Sequence, residues 1–454
     1  MGLKIKYFSQ FCLAVSILIF IYTFYRSEIY WNGNKRDYYF FYYIISTFLI
    51  FLFLIIIFFL KSEKIKLYFY IGLISLICSL YIFEIYLSFL DWPNNKKILN
   101  YYKKYKNKNS KVKFEKKSRM KFYKNQKKKF PNIVMTVPRS TFLEIENLNL
   151  FPLSGVSNQK TIYCNENGYY LIYQSDKFGF NNPSDEWDQK EIEYLIIGDS
   201  TAHGACINRP YDISSVLRTI SNKNVINLGY SASGPLIQYA TLKEYFPKNS
   251  KVKNIIWLYQ EENDQIDLKN ELNNKILNKY FLEKNFSQDL EKKQKEIDDI
   301  TERIISVEEE RYVSKKNIKL IKLYATRTLI LSYLNKLNKK KDVAFKEYKI
   351  QKEFKNIVKL MTSFANKKNS KIYFVYLPSY YRYKNNAYQT YQNENYKVIQ
   401  KTLKEFKITL IDLHQIVFDK EKDPLELFPF KLHGHYNSVG HAKVAQTIFE
   451  LTNY

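Results

Sequence analysis

The chain has 454 residues, of which 46% are hydrophobic, and this is enough for one large domain or two ordinary ones. Its formal net charge of +27 suggests nucleic acid or an anionic membrane surface as a partner. The lysines are spread along the whole chain, however, and no zinc-finger spacing or RNP-like motif accompanies them, so no nucleic acid is expected as a partner.

Three N-terminal stretches are long and apolar enough to cross a bilayer, which takes about 20 residues. They run roughly over residues 8–25, 38–60 and 67–90. The first has a basic start like that of a signal peptide, but no small-residue cleavage site follows it, so we interpret it as retained. The sequence therefore predicts a three-helix anchor over residues 1–90. Glu84 near its end is either an interfacial side chain or a functional intramembrane carboxylate.

The basic residues give conflicting evidence on membrane orientation. Lysines before the first span and after the second favour a cytoplasmic N-terminus. The basic residues of the first loop favour the opposite orientation, and so do residues 91–130, which contain sixteen Lys or Arg and only two acids. Because large downstream domains cross largely regardless of charge, we expect the C-terminal domain outside the cytoplasmic (inner) membrane. Residues 91–130 are interpreted as a basic juxtamembrane linker, either a solvated spacer or an arm attracted to anionic lipid.

From residue 131 onward, short apolar runs alternate with segments of helical periodicity, which is typical of an α/β domain. Several runs are continuous Ile, Val, Leu and Tyr, as in parallel strands that are buried on both faces. The predicted strands are residues 193–197, 225–228, 254–259, 371–377 and 408–413. A charged region at about 267–345 predicts a helical insertion, which packs, joins two copies into a homo-oligomer, or covers the site as a lid.

The first stretch with chemical character is YLIIGDSTAHG, residues 194–204. A buried strand ends there in Gly-Asp-Ser, so the Ser200 hydroxyl is expected at the carboxyl end of a strand, where open α/β sheets bind their ligands. Backbone N–H groups near a helix N-terminus can hold a developing oxyanion. The tripeptide alone is a weak signal.

Two later loops and the C-terminal region add polar groups to this edge. Gly229, in VINLGYSASGP, lets the backbone approach a ligand, and Asn263, in IIWLYQEENDQIDL, carries an amide donor. Their alternative roles are an ordinary turn and a helix cap. His435 stands just before the C-terminal helix, with His433 and His441 nearby. Since no Cys or carboxylate joins these histidines at ligand spacing, neither a metal nor a cofactor is predicted.

Taken together, these four stretches resemble the SGNH/GDSL hydrolase superfamily, which carries Ser, Gly, Asn and His in four successive blocks. The resemblance implies a flavodoxin-like three-layer α/β/α domain over residues 131–454, acting as a membrane-anchored ester hydrolase or O-acyltransferase. It further implies Ser200 as nucleophile, His435 as general base, and Ser200, Gly229 and Asn263 as the oxyanion hole. An acylated envelope glycan or lipid is the expected substrate.

One departure from the family pattern concerns the acid that orients the histidine. The family usually has an Asp two or three residues before its histidine, whereas Leu432 and His433 stand there. A backbone carbonyl or a distant carboxylate such as Asp412 is then expected to orient His435, and loss of such an acid lowers the rate by about 10⁴. A catalytically degenerate scaffold that binds glycan or protein partners is the alternative function.

Four further side chains have open interpretations. His203 competes as the base because it lies three residues after Ser200, although neighbours on a tight turn rarely point at each other. His414 is predicted to be structural. Cys164 and Cys206 are either a disulfide in an oxidising compartment or two buried thiols.

Overall fold

The computed structural model describes residues 2–34, 36–92, 94–106, 114–337, 351–384 and 386–453. The helices are α1 (Gly2–Phe24), α2 (Arg36–Phe58), α3 (Glu63–Phe89), α4 (Lys96–Lys106), α5 (Arg119–Lys127), α6 (Ser140–Leu143), α7 (Ile213–Ser221), α8 (Pro235–Tyr245), α9 (Asp264–Glu271), α10 (Lys275–Leu282), α11 (Gln294–Ile321), α12 (Tyr324–Leu337), α13 (Lys352–Lys367), α14 (Tyr380–Lys384), α15 (Asn386–Glu405), α16 (Leu413–Ile416) and α17 (Ser438–Thr452). The strands are β1 (Val134–Met135), β2 (Lys160–Ile162), β3 (Ile172–Gln174), β4 (Glu191–Gly198), β5 (Val225–Asn227), β6 (Lys251–Gln260), β7 (Lys371–Leu377) and β8 (Thr409–Asp412).

The chain forms two compact units. The first comprises Met1–Leu90 and Leu320–Arg327, and the second comprises Asp91–Lys319 and Thr328–Tyr454. The first unit contains helices that are long and apolar enough to cross a membrane, at Lys4–Tyr30, Arg36–Phe58 and Glu63–Phe89. Many of their large apolar side chains are exposed, as expected for helices that face lipid. The three apolar helices expected from the sequence are confirmed.

The second unit is built on a five-stranded parallel sheet with the order β5-β4-β6-β7-β8. This is the flavodoxin-like order, in which the first strand lies between the second and the third. Side chains alternate between two cores: on β4, Leu195 and Ile197 enter one core, and Tyr194 and Ile196 enter the other. Helices α8, α13 and α15 cover the first face, and α7 and α17 cover the second. The expected three-layer α/β/α architecture is therefore confirmed.

A second, smaller sheet precedes the main one. Strand β1 runs parallel to β2, and β2 runs antiparallel to β3. These strands are only two or three residues long, so they leave no periodic pattern from which the sequence could predict them. The loop between β2 and β3 carries Cys164 and Glu166.

Two segments differ from their sequence-based interpretation. Residues 91–130 are not a solvated linker where they are described, since α4 and α5 lie there with Tyr101 and Tyr123 buried. The tyrosines of this basic run pack inward while most of its lysines stay partly or fully exposed. The insertion at 267–345 contains most of α9 together with α10, α11 and α12, and its residues 338–345 lie outside the described part of the chain.

Candidate active site

Ser200 and His435 meet at the carboxyl edge of the main sheet. Ser200 follows the end of β4, and His435 lies in the loop before α17. The Ser200 Oγ is 2.9 Å from the His435 Nε2, although the two residues are 235 positions apart. The same hydroxyl lies 3.1 Å from the Oδ2 of Asp199. The structure therefore brings together the predicted nucleophile and the predicted base.

Glu166 occupies the other side of the imidazole. Its Oε2 accepts a hydrogen bond of 2.7 Å from the backbone N–H of His435 and lies 3.1 Å from the His435 Nδ1. The Glu166 side chain is only 4% exposed. A carboxylate at Nδ1 favours the tautomer that carries its proton there, and this leaves Nε2 free to accept the proton of the Ser200 hydroxyl.

The charges of this pair reinforce the arrangement. Burial lowers the pKa of His435, but the charge and hydrogen bond of Glu166 outweigh it, so the pKa is raised above the ordinary histidine value. Burial raises the pKa of Glu166, but His435 and Lys97 outweigh it and hold that pKa well below the ordinary range. Glu166 is therefore ionised at neutral pH and stabilises an imidazolium at His435.

Helix α4 completes the surroundings of this acid. The Lys97 Nζ is 2.5 Å from the Glu166 Oε1, and the Tyr101 hydroxyl donates a 2.5 Å hydrogen bond to the His433 carbonyl. A side chain at Gly434 would place its Cβ 2.6 Å from the Glu166 Oε2 and 2.8 Å from the Tyr101 hydroxyl oxygen. Glycine is therefore needed at that position for the close approach of the acid and the helix. The basic segment is part of the site.

Asp412, the acid expected from the sequence to orient His435, has other partners. Its Oδ1 accepts the backbone N–H of His414 at 3.0 Å and so caps α16, and its Oδ2 accepts the hydroxyl of Tyr396. A side chain that satisfies a helix terminus in this way is held at that terminus. The orienting acid in the structure is Glu166 instead.

A disulfide joins Cys164 to Cys206. It links the β2–β3 hairpin, which carries Glu166, to the loop that follows Ser200. Pairing these two cysteines in the sequence would have brought Glu166, two residues from Cys164, beside the nucleophile loop. The two cysteines are therefore the sequence signal that points to this acid.

The side chains of Glu166, Cys206 and His435 offer ligand atoms within 4.8 Å of one another. Such a group could in principle hold a metal ion. Each atom already has a protein partner, however, because Cys206 is in the disulfide and His435 is bonded to both Ser200 and Glu166. These residues fit a proton relay better than an ion site.

Gly229 lies against the nucleophile loop, but its N–H is engaged. It donates a hydrogen bond of 2.8 Å to the Asn227 Oδ1. A Cβ at this position would lie 2.3 Å from the Cβ of Ala202 and 2.7 Å from the backbone N of His203. The glycine therefore serves the close packing of two loops rather than an oxyanion, which corrects its expected role.

Asn263 also lies beside the nucleophile with its amide engaged. Its Nδ2 donates to the Asp199 Oδ2 at 3.1 Å and to the Asp267 Oδ2 at 2.8 Å. Both amide hydrogens are therefore directed at carboxylates. Burial raises the pKa of Asp267 to about 6, despite its hydrogen bond from Asn263. Protonation of Asp267 would weaken one of the two bonds that hold this amide.

The backbone N–H groups of Ser200 and Ala232 donate no hydrogen bond among the residues that the structure describes. Ala232 follows β5 and has a φ of 55°, a left-handed conformation that is uncommon for alanine. Alanine gives no sequence signal for that conformation, so this donor could not be predicted.

His203 is a structural side chain. Its ring is stacked between Tyr163 and Tyr230, and its Nε2 lies 2.9 Å from the Tyr173 hydroxyl. Burial lowers its pKa to about 3. It therefore stays neutral and does not compete with His435 for the role of base.

The remaining histidines have separate surroundings. The His414 Nδ1 bonds to the Tyr383 hydroxyl at 2.9 Å, and the His433 Nε2 bonds to the Glu262 Oε1 at 2.8 Å. The ring nitrogens of His441 are buried without a hydrogen-bond partner in the described part of the chain. His433 and His435 therefore bond to different groups, and His441 bonds to none that the structure describes.

Comparisons with solved structures find distant similarity to lipolytic enzymes. One is a protein described as lipolytic, of the G-D-S-L family, from Desulfitobacterium hafniense DCB-2, with 12% identity, a TM-score of 0.32, and coverage of 58% of this chain and 99% of that chain. Another is the psychrotrophic esterase EstA from Pseudoalteromonas sp., in a structure inhibited by monoethylphosphonate, with 8% identity, a TM-score of 0.27, and coverage of 58% and 96%. No protein-family model and no curated protein matches the chain.

Proposed function

We propose that the chain is a membrane-anchored serine ester hydrolase or O-acyltransferase that works through an acyl-enzyme on Ser200. The observation that carries the proposal is the continuous series of contacts from the Ser200 Oγ through the His435 imidazole to the buried Glu166 carboxylate. Nucleophile, base and orienting acid are the three parts that activate a serine hydroxyl.

The chemistry follows from the bonds of this series. As the Ser200 Oγ attacks the ester carbonyl, its proton passes to the His435 Nε2, and Glu166 stabilises the imidazolium that forms. The imidazolium then gives this proton to the departing alcohol, which leaves the acyl group on Ser200. Water or an acceptor hydroxyl attacks the acyl-enzyme with the same histidine as base, and Ser200 is regenerated.

The oxyanion of this reaction needs hydrogen-bond donors in the loops around Ser200. We assign the backbone N–H groups of Ser200 and Ala232, because neither is occupied among the described residues. Asn263 can contribute only when its amide leaves Asp199 or Asp267. Each such donor typically contributes 10² to 10³ in rate, roughly 3 to 4 kcal/mol.

An acylated glycan or lipid of the cell envelope is the proposed substrate class. Three helices can hold the chain at a membrane, and the disulfide suits an oxidising compartment on the outer side of the inner membrane. Hydrolase and transferase share the acyl-enzyme and differ only in whether water or a sugar hydroxyl reaches it.

The test is covalent labelling of the full-length chain in detergent with a fluorophosphonate probe, together with turnover of an aryl acetate. We expect labelling of the wild type and none of Ser200→Ala. Ser157→Ala is the matched control, because the Ser157 hydroxyl bonds to Asp298 and belongs to no part of the relay. A wild type that is folded yet neither labelled nor active would favour the alternative of a glycan- or protein-binding scaffold. The missing acid that supported that alternative is supplied by Glu166.

A further inference from the structure

The tip of the helical insertion belongs to the first compact unit, which contains the three long apolar helices and is hereafter called the membrane unit. Leu320–Arg327, which spans the end of α11, the turn and the start of α12, groups with Met1–Leu90. It is more than 200 residues away from the membrane-spanning helices in sequence. The contacts of this tip segment identify what it does there.

Glu84 of α3 caps the tip segment. Its carboxylate is buried, and its Oε1 accepts the N–H of Ala325 at 2.9 Å. Its Oε2 accepts both the N–H and the hydroxyl of Thr326, each at 2.8 Å. These are donors of the first turn of α12, where a helix lacks internal acceptors and favours negative charge. A carboxylate in a membrane helix is costly without partners, and α12 supplies them.

Two further contacts attach the tip segment to the spanning helices. The Tyr81 hydroxyl of α3 donates a hydrogen bond of 2.9 Å to the Ile321 carbonyl. The guanidinium of Arg327 lies 5.5 Å from the centre of the Tyr42 ring in α2. Polar groups of the tip segment are thus satisfied by the membrane helices themselves.

The apolar side chains around the tip segment are left uncovered. On α12, Ile330, Leu331 and Leu334 lie on one face and are each about half exposed. Ile321, within the tip segment, is 67% exposed. In a soluble element, such a cluster would be a liability. On an element whose first turn belongs to the membrane unit, it is the face expected toward acyl chains.

We propose that the tip of the insertion is a fourth membrane-associated element, with α12 lying in the bilayer interface and its apolar face against lipid acyl chains. Glu84 is five residues before the end of α3, which at 1.5 Å per residue is about 8 Å, so its contact with α12 lies near the headgroups. The occupant of the apolar face is lipid, in place of the second copy or the lid contact that the sequence left open.

The test is the local environment of a spin label in the full-length chain, reconstituted in phosphatidylcholine–phosphatidylglycerol nanodiscs. The free cysteines Cys12 and Cys78 are replaced by Ser, and a label is placed by Ile330→Cys or, as the water-exposed control on α11, by Glu310→Cys. We expect collisions with oxygen to exceed those with a water-soluble nickel chelate at 330, and the reverse at 310.

Two results with Glu84 intact would overturn the proposal. One is a label at 330 that meets the nickel chelate as readily as the label at 310. The other is spin–spin broadening at 330, which would show a second copy on that face. Glu84→Leu removes the cap, and we expect it to raise the nickel accessibility of the label at 330 about tenfold. Glu84→Gln keeps an acceptor, so the nickel accessibility of that label should stay within about twofold of its value with Glu84. An unchanged label in a folded Glu84→Leu chain would also contradict the proposed anchoring.

Discussion

Replacing Glu166 by Gln is the sharpest test of the relay, because one carboxylate serves three donors. The Glu166 Oε2 faces the N–H and the Nδ1 of His435, and the Oε1 faces Lys97. A Gln side chain has one oxygen and one NH₂ group. If its oxygen faces His435, the NH₂ group opposes the Lys97 ammonium, and if it is flipped, donor opposes donor at His435. Neither orientation preserves all three bonds.

The size of the loss follows from the charge. Two unit charges 3.1 Å apart interact by about 5 kcal/mol at an effective dielectric constant of about 20, and this interaction stabilises the imidazolium formed during attack by Ser200. At 1.36 kcal/mol per tenfold, it corresponds to nearly 10⁴ in rate. Because Lys97 already offsets part of the Glu166 charge, we expect kcat for an aryl ester to fall by about 10³ to 10⁴, in line with the loss when a triad acid is amidated.

The pH profile separates loss of charge from general disruption. The base must be neutral, so kcat/KM rises with pH through the pKa of His435. Since Glu166 raises that pKa, Glu166→Gln should move the acid limb to lower pH while lowering the plateau. Asp412→Asn is the matched control and should keep both the limb and the plateau, because Asn caps a helix about as well as Asp does. Activity within tenfold of wild type in Glu166→Gln, or a collapse in Asp412→Asn, would refute the assignment.

Three more predictions concern the frame of the site. Double replacement of Cys164 and Cys206 by Ser removes a disulfide between residues 42 apart, which in the chain-entropy model destabilises the domain by about 4 kcal/mol. We expect a lower unfolding midpoint and loss of activity. Full activity after reduction of the disulfide would contradict this prediction. Gly229→Ala drives a Cβ into Ala202 and should cost about 1 to 3 kcal/mol and most of the turnover, whereas a wild-type midpoint would show that the loops can part. His203 stays neutral in the folded protein, with a pKa of about 3, but takes up a proton below about pH 6.5 in the unfolded chain. The free energy of unfolding therefore falls as the pH is lowered from about 6.5 towards 3. His203→Phe should remove up to about 1.4 kcal/mol per pH unit of that fall, and an unchanged slope of the unfolding midpoint between pH 6.5 and 4.5 would count against the burial argument.

The main sheet could be predicted because its strands are buried on both faces. Several of them contain long apolar runs, and the predicted strand at 371–377 coincides with β7. Parallel strands also place their carboxyl ends at one edge, so Ser200 could be located from the end of a single strand. His435 could be paired with it only through the resemblance to a known family, because nothing in the local pattern joins residues 235 apart.

The acid could not be found in the same way. Glu166 lies in a hairpin of three-residue strands, where no periodicity marks the structure, and its function depends on contacts with α4 and the loop before α17. A search for carboxylates close to His435 in sequence, or at the ends of the main strands, leads to Asp412 instead. The pairing of Cys164 with Cys206 is the long-range constraint that points to the hairpin.

The contacts of the two glutamates follow one physical rule that local sequence patterns do not express. A buried carboxylate must find donors, and the donors are often remote in sequence. Glu166 finds them in Lys97 and His435, which makes a juxtamembrane helix part of the candidate active site. Glu84 finds them in Ala325 and Thr326, which makes the tip of a charged insertion part of the membrane unit. In both cases, a segment with the sequence of a solvated spacer or arm carries the missing partner, because a buried acid is stabilised by whichever donors the fold brings to it.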